Sequence, residues 1–415
     1  MMEKTKKSKK RLMCAKELTK VIAGYYQECS EAKSKGIPVG WMPPMNGAIE
    51  IFYAMGITPV FPENWSPICA AFGLTPKNFE VSEAMGYSRD LCGYLRNING
   101  YVYGLMNEKN SPLGGLPEPD ILISPMGGCV PVMKIFQILE RRFPEAKIFS
   151  ADLPQVAVED IKDEHLTFAV SAIKNLIEFL TEATGRKMDY ERLKEVVKLS
   201  DRACELWDEI MSYRRIIPTP FSAAEIGIMF VMVTLQGTEK AVDFLTLARD
   251  EIKEKAESGN GVIENERIRL FWDNIPLWYN MGLFNYFEKM GGVVVAETYS
   301  AAWSLRLDPE KPLESLALKS LKSYPMVSCV SIKKRKEMVL KACREYRIDG
   351  AVLHRNKSCH PITLGQMDIK KALEEELGIP SLIIDGDHMD DRNFSAAQFE
   401  TRADAFMEML LAKKS

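Results

Sequence analysis

The sequence predicts an α/β protein: two parallel-sheet halves with a helical region between them. Three observations carry this. Short apolar runs recur, each leading through a turn-rich loop into a helical pattern and on to the next apolar run. That is the βαβ crossover a parallel sheet requires. The block 163–257 is helical almost throughout. The two flanking halves also share one order: strand, Pro-containing loop, helix, Gly, strand, long insertion, strand, Cys-containing loop, helix, strand. Each half is expected to form a flavodoxin- or Rossmann-like sheet, over 17–162 and 262–415. The helical region covers 163–261, and 1–16 form a basic tail.

The elements follow in order. A helix over 17–35 closes at Gly36. A strand over 37–41 runs into Met42-Pro43-Pro44-Met45-Asn46-Gly47, and a helix over 48–55 passes Gly56 to a strand over 58–61. Ser88 is a candidate N-cap for a helix reaching about Tyr103, with Cys92 in its first turn. A third strand, 120–124, enters Pro125-Met126-Gly127-Gly128-Cys129, followed by a helix over 132–141 and a strand over 147–152. In the helical block Leu176, Phe179 and Leu180 recur at helical spacing, as do Leu193, Val196 and Val197. Cys204 reads there as core.

In the second half a strand over 268–272 precedes a helix over 279–290, closed by Gly291-Gly292. A strand over 293–297 follows. Another over 351–353 leads to a loop with Arg355, Lys357, Cys359 and His360, where Pro361 stops the strand. Asp368 can cap a helix ending before Gly378, and the last strand spans 381–384.

The 415 residues are 46% hydrophobic and 27% charged, enough to bury a full core in two or three domains. A net charge of -3 gives no global attraction to nucleic acid or anionic membrane. The basic run 4–11 has no apolar segment behind it, so it is not a secretory signal. The apolar stretch 226–235 is too short to span a bilayer. A cytoplasmic protein is expected.

Nine cysteines in such a protein are not expected to be disulfides. None forms a C-x-x-C pair, which excludes zinc-ribbon, thioredoxin-type and ferredoxin-type motifs. Any metal site must gather isolated cysteines from distant loops. The four histidines make a His-rich site a poor match, and no Ser- or His-based hydrolase constellation is visible. Cys129 and Cys359 follow the third strand of each half, so they should face one another across a cleft at the strands' carboxyl ends. Cys92, placed at a helix start, would complete a three-thiolate site. Three thiolates suit a [4Fe–4S] cluster with one open position. Zinc is the competing metal, without a clear fourth ligand. The Gly127-Gly128 turn also resembles a phosphate cradle, but it lacks a P-loop's Lys-Ser/Thr.

The sequence resembles the (R)-2-hydroxyacyl-CoA dehydratases, a family that includes benzoyl-CoA reductase subunits. The resemblance spans nearly the whole chain. It rests on G-W-M-P at Gly40, V-F-P-E-N at Val60, S-E-A-M-G-Y-S-R-D-L-C-G-Y at Ser82, the Cys129 loop and P-T-P-F-S at Pro218. It continues through the Cys359 loop and D-G-D-H-M-D-D-R-N-F-S-A-A-Q-F-E-T-R at Asp385. The likeness is to the larger, substrate-binding alpha subunit.

The resemblance implies that Cys92, Cys129 and Cys359 are the ligands of a [4Fe–4S] cluster in the cleft. It implies a homologous second subunit in a heterodimer and a separate ATP-driven iron–sulfur activator that injects one electron. It also implies an acyl-CoA substrate, dehydrated to a 2-enoyl-CoA through a ketyl radical. Some members place a Ser after the first strand to hold a water on the open iron; here the loop reads Met42-Pro43-Pro44-Met45. A benzoyl-CoA-reductase-like subunit and a non-catalytic electron relay are therefore kept as alternatives. Glu63 and Glu83 are candidate acid or base groups without assigned roles.

Overall fold

The computed structural model describes residues 12–44, 48–106, 108, 111–124, 129–150 and 153–414. The basic run 4–11, the loop segments 45–47 and 125–128, and the expected strand end at 152 lie outside the described residues.

Helix α1 (Cys14–Ala32) begins inside the expected tail and leads through a 3-10 turn and Gly36, at φ 67°, to β1 (Val39–Trp41). Then α2 (Ala48–Ala54) crosses to β2 (Thr58–Val60). Gly40 permits this crossover to lie flat, because a Cβ there would come within 2.1 Å of the Phe52 ring. The insertion before β3 (Ile121–Ser124) holds α3 (Pro62–Ala71), α4 (Thr75–Ala84) and α5 (Gly93–Gly100). Next come α6 (Val130–Arg142) and β4 (Lys147–Ser150). The four strands are parallel, in the order β2-β1-β3-β4.

The helical stretch contains α7 (Asp163–Thr184), α8 (Tyr190–Tyr213), α9 (Met229–Thr234) and α10 (Glu239–Glu257). The second sheet follows with β5 (Ile268–Asp273) and β6 (Gly292–Glu297). Its long insertion is α11 (Pro312–Leu321), α12 (Tyr324–Val330) and α13 (Ile332–Glu345). Then come β7 (Gly350–Asn356), α14 (His360–Thr363), α15 (Gln366–Leu377), β8 (Ser381–Gly386) and α16 (Ala396–Lys414). The order is β6-β5-β7-β8, again all parallel. The shared order expected from the sequence is therefore observed in two four-stranded sheets.

All six residues of β5 and of β6 are buried, as strands covered by helices on both faces must be. Trp272 packs on one face with Phe284 and Phe399, while its neighbour Phe271 packs on the other with Val293 and Leu373. The segment Trp278–Met290 is a 3-10 helix rather than the expected α-helix, since Asn280 takes non-helical angles (φ -143°, ψ 57°). Asp368 lies within the first turn of α15; Gly365 is the N-cap residue. In each sheet the chain reverses between the first and third strands, and ligands collect at the carboxyl ends beside such a point.

Candidate active site

The three candidate cysteines share one station. Cys92 is not in the first turn of α5 but is its N-cap residue (φ -44°, ψ 129°). Ser88 instead closes a short turn, its Oγ accepting from the Asp90 N–H at 3.2 Å. Cys129 is the N-cap of α6 and Cys359 the N-cap of α14, each with a proline at the start of its helix. A helix start offers free N–H groups to an anion. The N–H groups of Leu95 and Tyr94 reach the Cys92 sulfur, and that of Ile362 reaches Cys359, each favouring thiolate.

The thiols gather electrostatically. Cys129 lies near enough to Cys92, Cys329 and Cys359, and Cys359 to Cys92 and Cys329, for ionisation of one thiol to oppose that of the next. These four keep partial exposure while the other five cysteines are buried. Even so, burial pushes the Cys92 thiol up to about 12 and lifts Cys129 and Cys359 well above the ordinary thiol range. Without metal the thiols stay protonated, and binding a metal must displace those protons. Among the described residues no group of three or more His, Cys, Asp or Glu is close enough to share one metal ion. Thiolates around a single zinc ion stand roughly 4 Å apart. A four-iron cluster uses a sulfur-only donor set.

Behind Cys92, the segment after β8 presses on the start of α5. A Cβ on Gly93 would lie 2.8 Å from Met389 Cβ and 3.0 Å from Asp387 Oδ1. The Gly93 N–H donates to Ser358 Oγ at 3.0 Å, joining the Cys92 and Cys359 loops. Asp387 is held in place by the N–H groups of Met389 and Asp390, both at 2.9 Å. Burial works against its charge, yet His388, Ser358 and those N–H groups keep its carboxyl below the usual range. The Tyr94 ring stands edge-on to His388 at 4.4 Å, and the Trp278 indole N–H donates to its hydroxyl at 2.6 Å.

The two glutamates separate. Glu63, at the start of α3, acts electrostatically on Cys92, Cys129 and Tyr94, and burial raises its carboxyl to about 7. Glu83 is spent in ion pairs with Arg96 at 3.2 Å and Arg392 at 2.5 Å. Arg96 also meets Asp390 at 3.1 Å. The basic residues expected to favour a Cys359 thiolate point elsewhere: Arg355 pairs with Asp385 at 2.5 Å and Lys357 with Asp90 at 3.6 Å. Arg335, on α13, is the cation that acts on Cys359. Sequence reasoning misses Cys329 and Arg335 here, because neither belongs to a spaced motif that would mark it. Met42, in the loop after β1, is fully buried.

The profile of the family described as 2-hydroxyglutaryl-CoA dehydratase, D-component, matches residues 45–410. The chain belongs to this family. It is 29% identical to the (R)-phenyllactyl-CoA dehydratase alpha subunit of Clostridium sporogenes, over 92% of each chain. It is 27% identical to the lactoyl-CoA dehydratase alpha subunit of Anaerotignum propionicum, over 96% of this chain and 97% of that one. A benzoyl-CoA reductase subunit of Thauera aromatica is 28% identical over 80% of each. Among the described residues no helix is long and apolar enough to cross a membrane.

Proposed function

We propose that this member of the dehydratase family is a subunit of an enzyme that converts an (R)-2-hydroxyacyl-CoA to a 2-enoyl-CoA. In this reading Cys92, Cys129 and Cys359 hold a [4Fe–4S] cluster between two α/β domains, 17–162 and 262–415. The observation that carries it is that the three cysteines each stand at a helix start, on a chain matched by the family over most of its length. Such a cluster supplies one low-potential electron when bound.

The chain's own residues do the remaining work. Helix-start N–H groups steady the thiolates at Cys92 and Cys359. The burial of the three cysteines would limit water at the site. Glu63, near half-protonated at neutral pH, is suited to give a proton to the departing hydroxyl or to take one from the β-carbon. Tyr94, fixed by Trp278 and His388, stands beside it as an orienting hydroxyl. The partners in this reading are a homologous second subunit, an ATP-dependent iron–sulfur activator and the acyl-CoA substrate.

The likeness to the Thauera aromatica benzoyl-CoA reductase favours a second reading, a reductase subunit that leaves electrons on its product. Anaerobic purification with iron and sulfide analysis tests the site. About four of each per chain are expected, with loss in Cys92→Ala, Cys129→Ala and Cys359→Ala. Full iron in those variants would sink the assignment. Activator, ATP and 2-hydroxyacyl-CoA esters then separate the readings: a dehydratase consumes no net reductant per turnover, a reductase does.

A further inference from the structure

The segment after β8 carries a charge that the fold does not neutralise. Asp387 is fully buried. Its Oδ1 accepts the N–H groups of Met389 and Asp390, while its Oδ2 has no hydrogen-bond partner among the described residues. His388 Nδ1 stands 3.7 Å away, but it faces the Asn356 side chain, and burial holds the ring well below its ordinary range. At pH 7 it is a neutral imidazole, not a counter-ion. The cations of the neighbouring segments are committed elsewhere. Arg96 and Arg392 hold Glu83 and Asp390, Arg355 holds Asp385, and Lys357 holds Asp90. An ionised carboxylate without a counter-ion is costly to bury. The turn over Met389 and Asp390 needs only a neutral oxygen, which asparagine would supply. The carboxylate lies against the start of α5. Its Oδ1 is 3.0 Å from the point where a Cβ on Gly93 would stand, and Gly93 follows Cys92. From there its charge acts on Cys92.

We propose that Asp387 is a positioning residue for the electron: its fixed negative charge holds down the reduction potential of the group bound at Cys92, Cys129 and Cys359. The proposal rests on the cluster reading above. An electron added beside a fixed anion is raised in energy by their repulsion, which a buried site screens little. No bond forms or breaks in this step. The electron then passes to an acceptor more readily, and a stronger donor is needed to deliver it. A unit charge about 10 Å away, at an effective dielectric of about 20, changes a one-electron equilibrium roughly tenfold. Glu63 also acts on Cys92, but its carboxyl, raised to about 7, is near half-protonated at neutral pH and supplies no fixed charge.

Wild type, Asp387→Asn, Asp387→Ser and Asp385→Asn, each purified anaerobically, are analysed for iron and then titrated with redox dyes, the reduced form being read by electron paramagnetic resonance. Asp385 is the control, because it is half-exposed and paired with Arg355. All four proteins are expected to hold about four irons. The midpoint potential is expected to rise by about 59 mV in both Asp387 variants, the one-electron equivalent of a tenfold change, and to stay unchanged in Asp385→Asn. Asp387→Ser also leaves an oxygen for the turn, so it reports if the asparagine variant does not fold. A midpoint within about 18 mV of wild type, a twofold change, overturns the proposal but leaves the three-cysteine cluster standing. So does loss of iron without movement of the midpoint, the result for a residue that only shapes the turn. A wild type without iron overturns both.

Discussion

Gly93→Ala is the sharpest test of how the site is held. Residue 93 follows Cys92 and opens α5, so its backbone tolerates alanine and even gains from reduced freedom in the unfolded chain, by about 0.4–1 kcal/mol. The obstacle is space. The added methyl would sit 2.8 Å from Met389 Cβ, 3.0 Å from Asp387 Oδ1 and 3.2 Å from a His388 ring carbon. None of these neighbours yields freely: the first sits at its backbone, Asp387 is held by two N–H groups, and His388 is hydrogen-bonded to Asn356 at 3.0 Å. Overpacking of this kind costs about 1–3 kcal/mol, so a net loss of about 1–2 kcal/mol is expected. The strain falls on the turn that carries Cys92, so iron content should fall as well. Gly104→Ala is the control, because its methyl would meet the end of the Val81 side chain at 2.8 Å, away from the cysteines. Iron per chain and denaturant unfolding are measured for both. A Gly93→Ala protein with full iron, unfolding within about 0.5 kcal/mol of wild type, refutes the reasoning.

Glu63→Gln should remove a pH dependence. A carboxyl raised from 4.5 to about 7 keeps its proton in the folded chain while the unfolded chain loses it, so stability declines as pH rises from 4.5 to 7. The glutamine variant should be more stable at pH 8 by no more than about 3 kcal/mol and should lose that slope, as read by denaturant unfolding of the cluster-free protein across pH. An unchanged slope counts against an enclosed Glu63. Lys319→Met should destabilise by about 3–5 kcal/mol, because it strands Glu50, fully buried and bonded to Lys319 at 2.6 Å and to Ser200 at 2.7 Å. Adding Glu50→Gln should recover most of that loss, and unfolding of the single and double variants measures the coupling. Arg335→Met should cost iron as well as stability, since it frees Asp273 and the α14 carbonyl that place Cys359; unchanged iron content would show that Arg335 has no part in the site.

The sheets are legible because their apolar runs end in loops rich in Pro and Gly, and because both halves repeat one order. The expected strand bounds fall within a few residues of the observed ones. Strand β7 reads short in the sequence, ending at Leu353, because His354 and Asn356 look like loop residues; both are buried, His354 bonded to the Ile275 carbonyl at 2.7 Å. Helices α3 and α4 are hidden by their prolines: Pro62 and Pro76 begin them rather than break them, while Pro67 sits inside α3. Cys129 and Cys359 emerge from loop equivalence alone. The partners of the site do not, because Arg335, Asp387 and Ser358 act through contacts between elements distant in sequence, and no periodicity records those. Cys329 is one helical residue among many until α12 is seen against α14.

The Gly93–Ser358 bond joins residues 265 positions apart, and it ties the loop of the first candidate ligand to that of the last. Contacts of such separation close late in folding. During synthesis the chain emerges from its amino end, so Cys92 and Cys129 are exposed to solvent long before Cys359 has been translated. Iron delivered at that stage would meet at most two of the three thiols and none of the β7 framework. If the three cysteines hold a cluster as proposed, loading is a step that follows completion of the second sheet, and a bound cluster would certify that the whole chain has closed on itself.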